Sequence, residues 1–432
     1  MSQGRDVVER ARAKVRLVEA DRSQLEMRAF DLESLVSLEH PVRRIWSLVS
    51  QLDVSRYEAP IAAREGLPGR PALDPRILVT LWVQAVVDGI GSARELSRRC
   101  ERDHVYQWIS GGLRISYHTL ADFRVSHAEA VDDLLTQVIA AMTSQGLIEC
   151  KRVAQDGTKL RASAGAASFH RKKTLEEHFE RAKDRVLELK KFADEANGVT
   201  SARQRANELR AAEEQEKRIE RALQEMPKLE AIKQKHLRKN TKKRTEARVS
   251  STDPEARVMK MANGGFRPAY NVQFCAETKG RVIVGVRVTN EGTDAGQALP
   301  MLEQEVIRRT GQTPTEYLID GGYTTRDTVQ ALSDHATTVY GGLKASKNPD
   351  KHDPHEPKPE DNAAYAALRL RMKTDEAKAT YKQRAAVIET VNADVKAHRG
   401  FSAFRVRGLH KVTTVTLWVA LAYDLMRWVH LT

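Results

Sequence analysis

Three acidic residues sit where an acid is costly or oddly placed. The stretch "KRVAQDGTKL" (151–160) starts as a buried strand, with Val153 and Ala154 inside, and then carries Asp156. A carboxylate there is expensive to bury without a partner, and no nearby Lys or Arg is an obvious one. "YLIDGGYTT" (317–325) repeats the pattern: an apolar strand ends in Asp320, followed by Gly321 and Gly322. The glycines let the backbone turn sharply and let another chain approach. If the two strands adjoin, their carboxylates meet and repel, so they need a cation between them. Mg2+ suits such oxygens, keeps several waters and takes its remaining ligands from phosphate. A third acid must then come from the C-terminal helices. The candidate is Glu389 in "YKQRAAVIETVNADVKAHRG" (381–400). At about 100° per residue, Lys382 and Lys396, each seven residues away, return close to its face. Taken alone, that helix reads equally as a surface ion-pair ladder. Glu376 is the alternative third acid.

The elements that must hold these residues are legible in outline. Between 30 and 145 the pattern is helical. "ALDPRILVTLWVQAVVDGIG" has Asp74 as its cap, Pro75 at the first helical position and glycines at its end. "SARELSRRC" opens on Ser92 and Glu95, a capping box. A further helix begins near Ser116. Short helices with glycine turns suit a helix-turn-helix DNA-binding unit, or an ordinary small helical domain. After 265 the period changes to strands. "AYNVQFCAETKG" and "RVIVGVRVTNEG" read as a hairpin through Lys279 and Gly280. "TEYLIDGG" and "ATTVYGG" add two more strands, which makes five with 151–160.

Residues 171–240 differ. Leu175, Phe179, Ala182, Val186, Leu189, Ala193 and Ala196 alternate by four and three, a heptad seam. "NGVT" (197–200) breaks it and a second helical stretch follows, in which Pro227 should kink or interrupt the helix. Leu209, Ile219, Leu223, Met226 and Ile232 can face the seam. The segment ends in a basic run: eight Lys or Arg between 233 and 248 against one acid, Glu246. That run is either a solvated helix end or a phosphate-contacting arm. Residues 345–362 are proline-rich and charged and read as a mobile loop. His352 and His355 lie there without metal-ligand spacing.

The formal net charge of +13 over 432 residues favours a polyanion, nucleic acid before a membrane surface. The plain alternative is a basic soluble enzyme. Cys100, Cys150 and Cys275 are scattered and form no CxxC pair, which argues against a disulfide framework or zinc site and fits a reducing cytoplasm. The charged N-terminus is no secretory signal. The apolar C-terminal run at 412–431 contains Asp424 and Arg427 and reads as a core helix, not a membrane span.

The ordered blocks "DGTKLRA" (156–162), "STDPEARVMK" (251–260), "GGFRPAYNVQ" (264–273), "VTNEGTDAGQALPML" (288–302), "DGGYTT" (320–325), "YKQRAAVIETVNADVK" (381–396) and "RVRGLHKV" (405–412) together resemble DDE transposases of bacterial insertion sequences. "HPVRRIWSLVSQLD" (40–53) and "GRPALDPRILVTLWVQAVVDGIGSARELSRRC" (69–100) resemble the N-terminal domain of the same enzymes. The likeness covers about residues 25–425.

The resemblance implies an α/β fold: a mixed five-stranded RNase H-like core, an all-α N-terminal DNA-binding domain and an inserted helical hairpin. The expected layout is an extension (1–25), the helical domain (26–145), the catalytic domain (146–170 and 249–432) and the insert (171–248). Asp156, Asp320 and Glu389 become the catalytic and metal-binding acids, for two Mg2+ ions that Mn2+ can replace. The family pattern YxxRxxxExxxxxxK appears here as YxxRxxxxExxxxxxK, with one residue more between Arg384 and Glu389. In an α-helix that residue turns Arg384 about 100° away, so Lys396 carries over more firmly than Tyr381 or Arg384, and Lys382 is a substitute. Lys159, Arg94 and Arg98, and Lys242, Lys243 and Arg244 of the basic run, are the other expected DNA contacts. The implied activity is cleavage at the element's inverted repeats and strand transfer into target DNA, by a homodimer in the cytoplasm at the nucleoid. A nuclease of the same fold without strand transfer and an inactive DNA-binding protein are the competing readings. A coiled-coil scaffold would leave the strands idle.

Overall fold

The computed structural model describes residues 31–64, 66, 71–193, 199–236, 246–343 and 353–432. The N-terminal part is helical: α1 (Pro41–Gln51), α2 (Ser55–Glu58), α3 (Pro75–Val87), α4 (Ala93–Arg102), α5 (His104–Ser110), α6 (Tyr117–Ser126) and α7 (Ala128–Ser144). Local chemistry sets their starts. Asp74 accepts from the Arg76 amide at 2.8 Å ahead of Pro75, and Ser92 Oγ accepts from the Glu95 amide at 3.4 Å. Each satisfies an amide that the first turn leaves without a partner.

The rest of the chain alternates strands and helices: β1 (Arg152–Arg161), β2 (Phe169–His170), α8 (Lys172–Ala193), α9 (Val199–His236), β3 (Val249–Ser250), β4 (Arg257–Lys260), β5 (Phe266–Glu277), β6 (Ile283–Thr289), α10 (298–310), β7 (Glu316–Ile319), α11 (Arg326–Asp334), β8 (Thr338–Gly341), α12 (Ala363–Lys373), α13 (375–397) and α14 (Leu409–Leu431). Six strands form one mixed sheet. β1 lies at its centre, antiparallel to β5 and parallel to β7, and β7 is parallel to β8. The far edge of β5 carries β4 along its first part and β6 along its second. The sixth strand, β4, was not among the five expected. It falls in the "STDPEARVMK" block, whose short polar strand pattern is weak without its partner. β2 and β3 form a separate two-stranded pair.

The N-terminal helices share their core with the sheet. A single cluster of buried apolar side chains runs from Val42 and Trp82 through Val138 and Phe274 to Leu421. The C-terminal helix α14 joins the two, packing on α3, α7 and β6. Trp418 Nε1 donates to the Arg124 carbonyl at 3.0 Å, and Asp424 Oδ1 accepts from the Ile283 amide at 2.8 Å. This is why its apolar run shows no solvent face.

Helices α8 and α9 pack together around a smaller cluster of their own that includes Leu175, Ala182, Ile219 and Met226. Two expectations for α9 fail. The helix runs unbroken through Pro227, which lies on its exposed side, where water can meet the carbonyl that proline leaves unpaired. Ile232 is 51% exposed and takes no part in the seam. Arg257 on β4 pairs with Glu225 of α9 at 2.7 Å, tying these helices to the sheet edge.

Candidate active site

The register of β1 on β7 decides where the acids lie. Gln155 pairs with Ile319 in the parallel ladder, so Asp156, midway along β1, and Asp320, just past the carboxyl end of β7, lie side by side. In open α/β sheets that is where ligands bind. β1 continues past this point while β7 stops.

Helix α13 packs on β1 and β5. It contains a π-helical turn at Ala385–Glu389. In a π turn residues five apart share one face, and such turns concentrate at functional sites. The residue that breaks the expected spacing is thereby absorbed. Arg384 is turned into the site, with Nη2 at 3.7 Å from Glu389 Oε1 and Nη1 at 4.0 Å from Asp156 Oδ1. The α-helical expectation that Arg384 would swing away is therefore corrected; Lys382 is exposed. Tyr381 lies against the loop after β8, its hydroxyl 3.2 Å from where a side chain on Gly342 would begin. One α-helical phase further on, Asn392 Nδ2 donates to Asp156 Oδ2 at 3.2 Å. Lys396 is half-buried; burial lowers its pKa, and the charge of Asp156 opposes that.

Asp156 is one quarter exposed. Burial pushes its carboxyl up to about 6; Arg384 and the Gly157 amide oppose the rise, and the charges of Asp294 and Asp320 add to it. A charged group is disfavoured in a poorly solvated place, more so beside like charges. Asp320 and Glu389 are exposed.

Asp294 is a residue that sequence reasoning missed. It lies in the loop between β6 and α10, in "EGTDAGQ", which reads locally as a turn. Only the fold brings it to Asp156. Its Oδ1 accepts from Asn271 Nδ2 at 2.8 Å and from Gln273 Nε2 at 2.7 Å. Gly157 makes the approach possible: a Cβ there would collide with Asp294 Oδ1 and Gln273 Nε2.

Around Asp156 the acceptors outnumber the donors. Among the described residues, the Oδ1 atoms of Asn271, beside Asp294, and Asn392, beside Asp156, are buried without a hydrogen-bond partner. A divalent cation fits such a donor set in kind. Among the described residues no three His, Cys, Asp or Glu side chains converge as a ready metal cage, and His355 joins none. His352 lies outside the described residues.

The other expected DNA contacts are spread out. Lys159 lies on β1, three residues beyond Asp156 and so on the alternate face. Arg94 and Arg98 are exposed on α4. Arg94 stacks over the Tyr117 ring at 4.8 Å, and Arg98 pairs with Glu95 at 3.2 Å. Lys242, Lys243 and Arg244 lie outside the described residues. No described helix is long and apolar enough to cross a membrane.

Comparison with known families gives two matches. Residues 238–425 match the family model of the transposase DDE domain, and residues 30–126 match that of a transposase domain (DUF772). The chain carries the two transposase domains typical of insertion-sequence transposases. These domains imply DNA binding and transposition-related DNA cleavage or transfer. The first match contains Asp320 and Glu389, whereas Asp156 precedes it. No curated protein and no solved structure matched the chain significantly.

Proposed function

We propose that the protein is a DDE transposase with an RNase H-like catalytic core, which cleaves DNA at the ends of an insertion sequence and joins the freed 3′ ends to target DNA. The observation that carries this reading is the placement of Asp156, midway along β1, beside Asp320, which follows the end of the parallel neighbour β7, under the helix that bears Glu389. The strand order, with β1 between an antiparallel and a parallel neighbour, supports the same core. Helices α8 and α9 are then an insertion after the first catalytic strand, and the basic run that follows them is an arm near DNA.

Asp156, Asp320 and Glu389 would hold Mg2+ or Mn2+, which when bound supplies positive charge at the phosphate and lowers the pKa of water. Asn392 holds the Asp156 carboxylate in orientation. Arg384, now shared between Asp156 and Glu389, is placed to exchange a carboxylate for a DNA phosphate, and Lys396 offers a second cation. Tyr381 supports the loop beyond Asp320. The exposed α4 surface with Arg94 engages the inverted repeats. Two copies would bring two element ends together.

The test uses the full-length protein with DNA carrying the element's own ends. Mg2+-dependent nicking at the element boundary, followed by covalent joining to a second duplex, supports the proposal. Nicking without joined product identifies a nuclease. No nicking with either Mg2+ or Mn2+ removes the enzymatic reading.

A further inference from the structure

Asp294 is held by more structure than a loop residue needs. The Tyr317 hydroxyl donates to Gln155 Oε1 at 2.8 Å, and Gln155 Nε2 donates to Gln273 Oε1 at 2.9 Å. The Tyr323 hydroxyl donates to the same Gln273 oxygen. Gln273 Nε2 and Asn271 Nδ2 then both donate to Asp294 Oδ1. All five supporting side chains are essentially fully buried. Every donor in this chain points the same way, which fixes the orientation of each amide and brings the line to one carboxylate oxygen. A buried line of converging donors of this kind rigidifies what it ends on.

The other oxygen of Asp294 is free. Oδ2 accepts no hydrogen bond among the described residues. It lies 3.9 Å from the point where a side chain on Gly322 would begin, and Asp320 Oδ2 lies 4.0 Å from that same point. On its other side Asp294 reaches the bare face of Gly157, next to Asp156. There the buried amide oxygen of Asn271 also has no partner among the described residues and lies 3.0 Å from the same bare face. Gly157 thus leaves the room that Asp294 occupies, Gly322 lies beside it at ordinary contact distance, and an unsatisfied acceptor points into it.

We propose that Asp294 is a fourth carboxylate of the cation site, contributing Oδ2 beside Asp156 and Asp320. This rests on the transposase reading of that site. The network makes chemical sense on this basis: a carboxylate held against two others loses orientational freedom and gains repulsion, and two amide donors on one oxygen offset both while leaving the second oxygen to a cation.

The experiment measures Mn2+ binding to the full-length protein without DNA, by calorimetry and by electron paramagnetic resonance, for the wild type, Asp156→Asn and Asp294→Asn. The expected result is a loss in Mn2+ affinity of about tenfold or more for Asp294→Asn, with an unchanged melting temperature in the absence of metal. Asp294→Cys gives an independent reading if the amide variant fails to fold: it should bind Cd2+ more tightly than the wild type does while binding Mn2+ less tightly. Wild-type Mn2+ affinity in Asp294→Asn, with affinity lost in Asp156→Asn, overturns the role of Asp294 and leaves the site standing. Wild-type affinity in Asp156→Asn overturns the site itself, and this inference with it.

Discussion

Arg384 and Glu389 are five residues apart and face each other at 3.7 Å because the helix between them opens into a π turn. In an unbroken α-helix the pair would diverge, and Arg384 would leave Asp156. The turn works as a one-residue insertion that the helix absorbs locally. Deleting Ala386 should convert the segment to plain α-helix, with Arg384 and the acid now four apart and still on one face. The expected outcome is retained cleavage and an equal or higher melting temperature. Inserting one alanine after Ala386 instead should misdirect Glu389 and abolish cleavage. Loss of activity in both variants would show that the bulge is needed for itself and not for phase.

Asp156→Asn, Asp320→Asn and Glu389→Gln each keep shape and remove a charge. Each should lower cleavage on the order of 10³-fold or more while DNA binding without metal is retained. The paired measurement is product formation on gels and binding by anisotropy. A variant that cleaves at the wild-type rate does not carry a catalytic acid.

The Asp156 carboxyl, pushed up to about 6 by burial, makes a stability statement. Its folded pKa lies above its unfolded value, so the ionised form is disfavoured in the fold. That cost is fully present above about pH 6 and absent below the unfolded pKa. Without divalent cations, Asp156→Asn should therefore stabilise the protein at pH 8, on the order of 1–3 kcal/mol. The gain should fade as pH drops through 6 and vanish by about 4. Thermal melts across that range check the sign. Cation affinity of the wild type should fall over the same interval, as protons compete for the carboxylate.

Gly157 and Gly322 make a matched pair. A methyl at Gly157 would collide with Asp294 and Gln273, whereas at Gly322 it would meet its nearest atoms at 3.9–4.0 Å, an ordinary contact. Gly157→Ala should lower cleavage and cation affinity together, and Gly322→Ala should leave the melting temperature unchanged. Equal thermal behaviour of the two variants would contradict the packing around Asp294.

Arg94 is exposed and has no acidic partner among the described residues, whereas neighbouring Arg98 and Arg99 pair with Glu95. Arg94→Gln should weaken binding to the inverted repeats and reduce the salt slope by about one. Arg98→Gln should change it less, because its charge is already partly compensated. The measurement is affinity at several salt concentrations, made on the full-length chain because the N-terminal helices share their core with α14 and the sheet.

The sequence by itself determined the elements and two strand-borne acids. Caps at Asp74 and Ser92, the alternating pattern of β5 and β6, an acid within one apolar strand and an acid at the end of another are local facts, and local physics reads them. The heptad seam likewise marked the inner face of α8, where Leu175, Ala182 and Val186 are buried. What needed the tertiary structure was everything set by phase or by long-range approach. The period of an α-helix, applied to 381–396, placed Arg384 on the wrong side, because a π turn is stabilised by what the helix packs against and not by its own residue types. β4 needed β5 to become a strand. Asp294 looked like a turn residue until Asn271 and Gln273, more than twenty residues earlier, reached it across the sheet edge. Pro227 was tolerated because of the side of the helix it faces, and only packing decides which side that is.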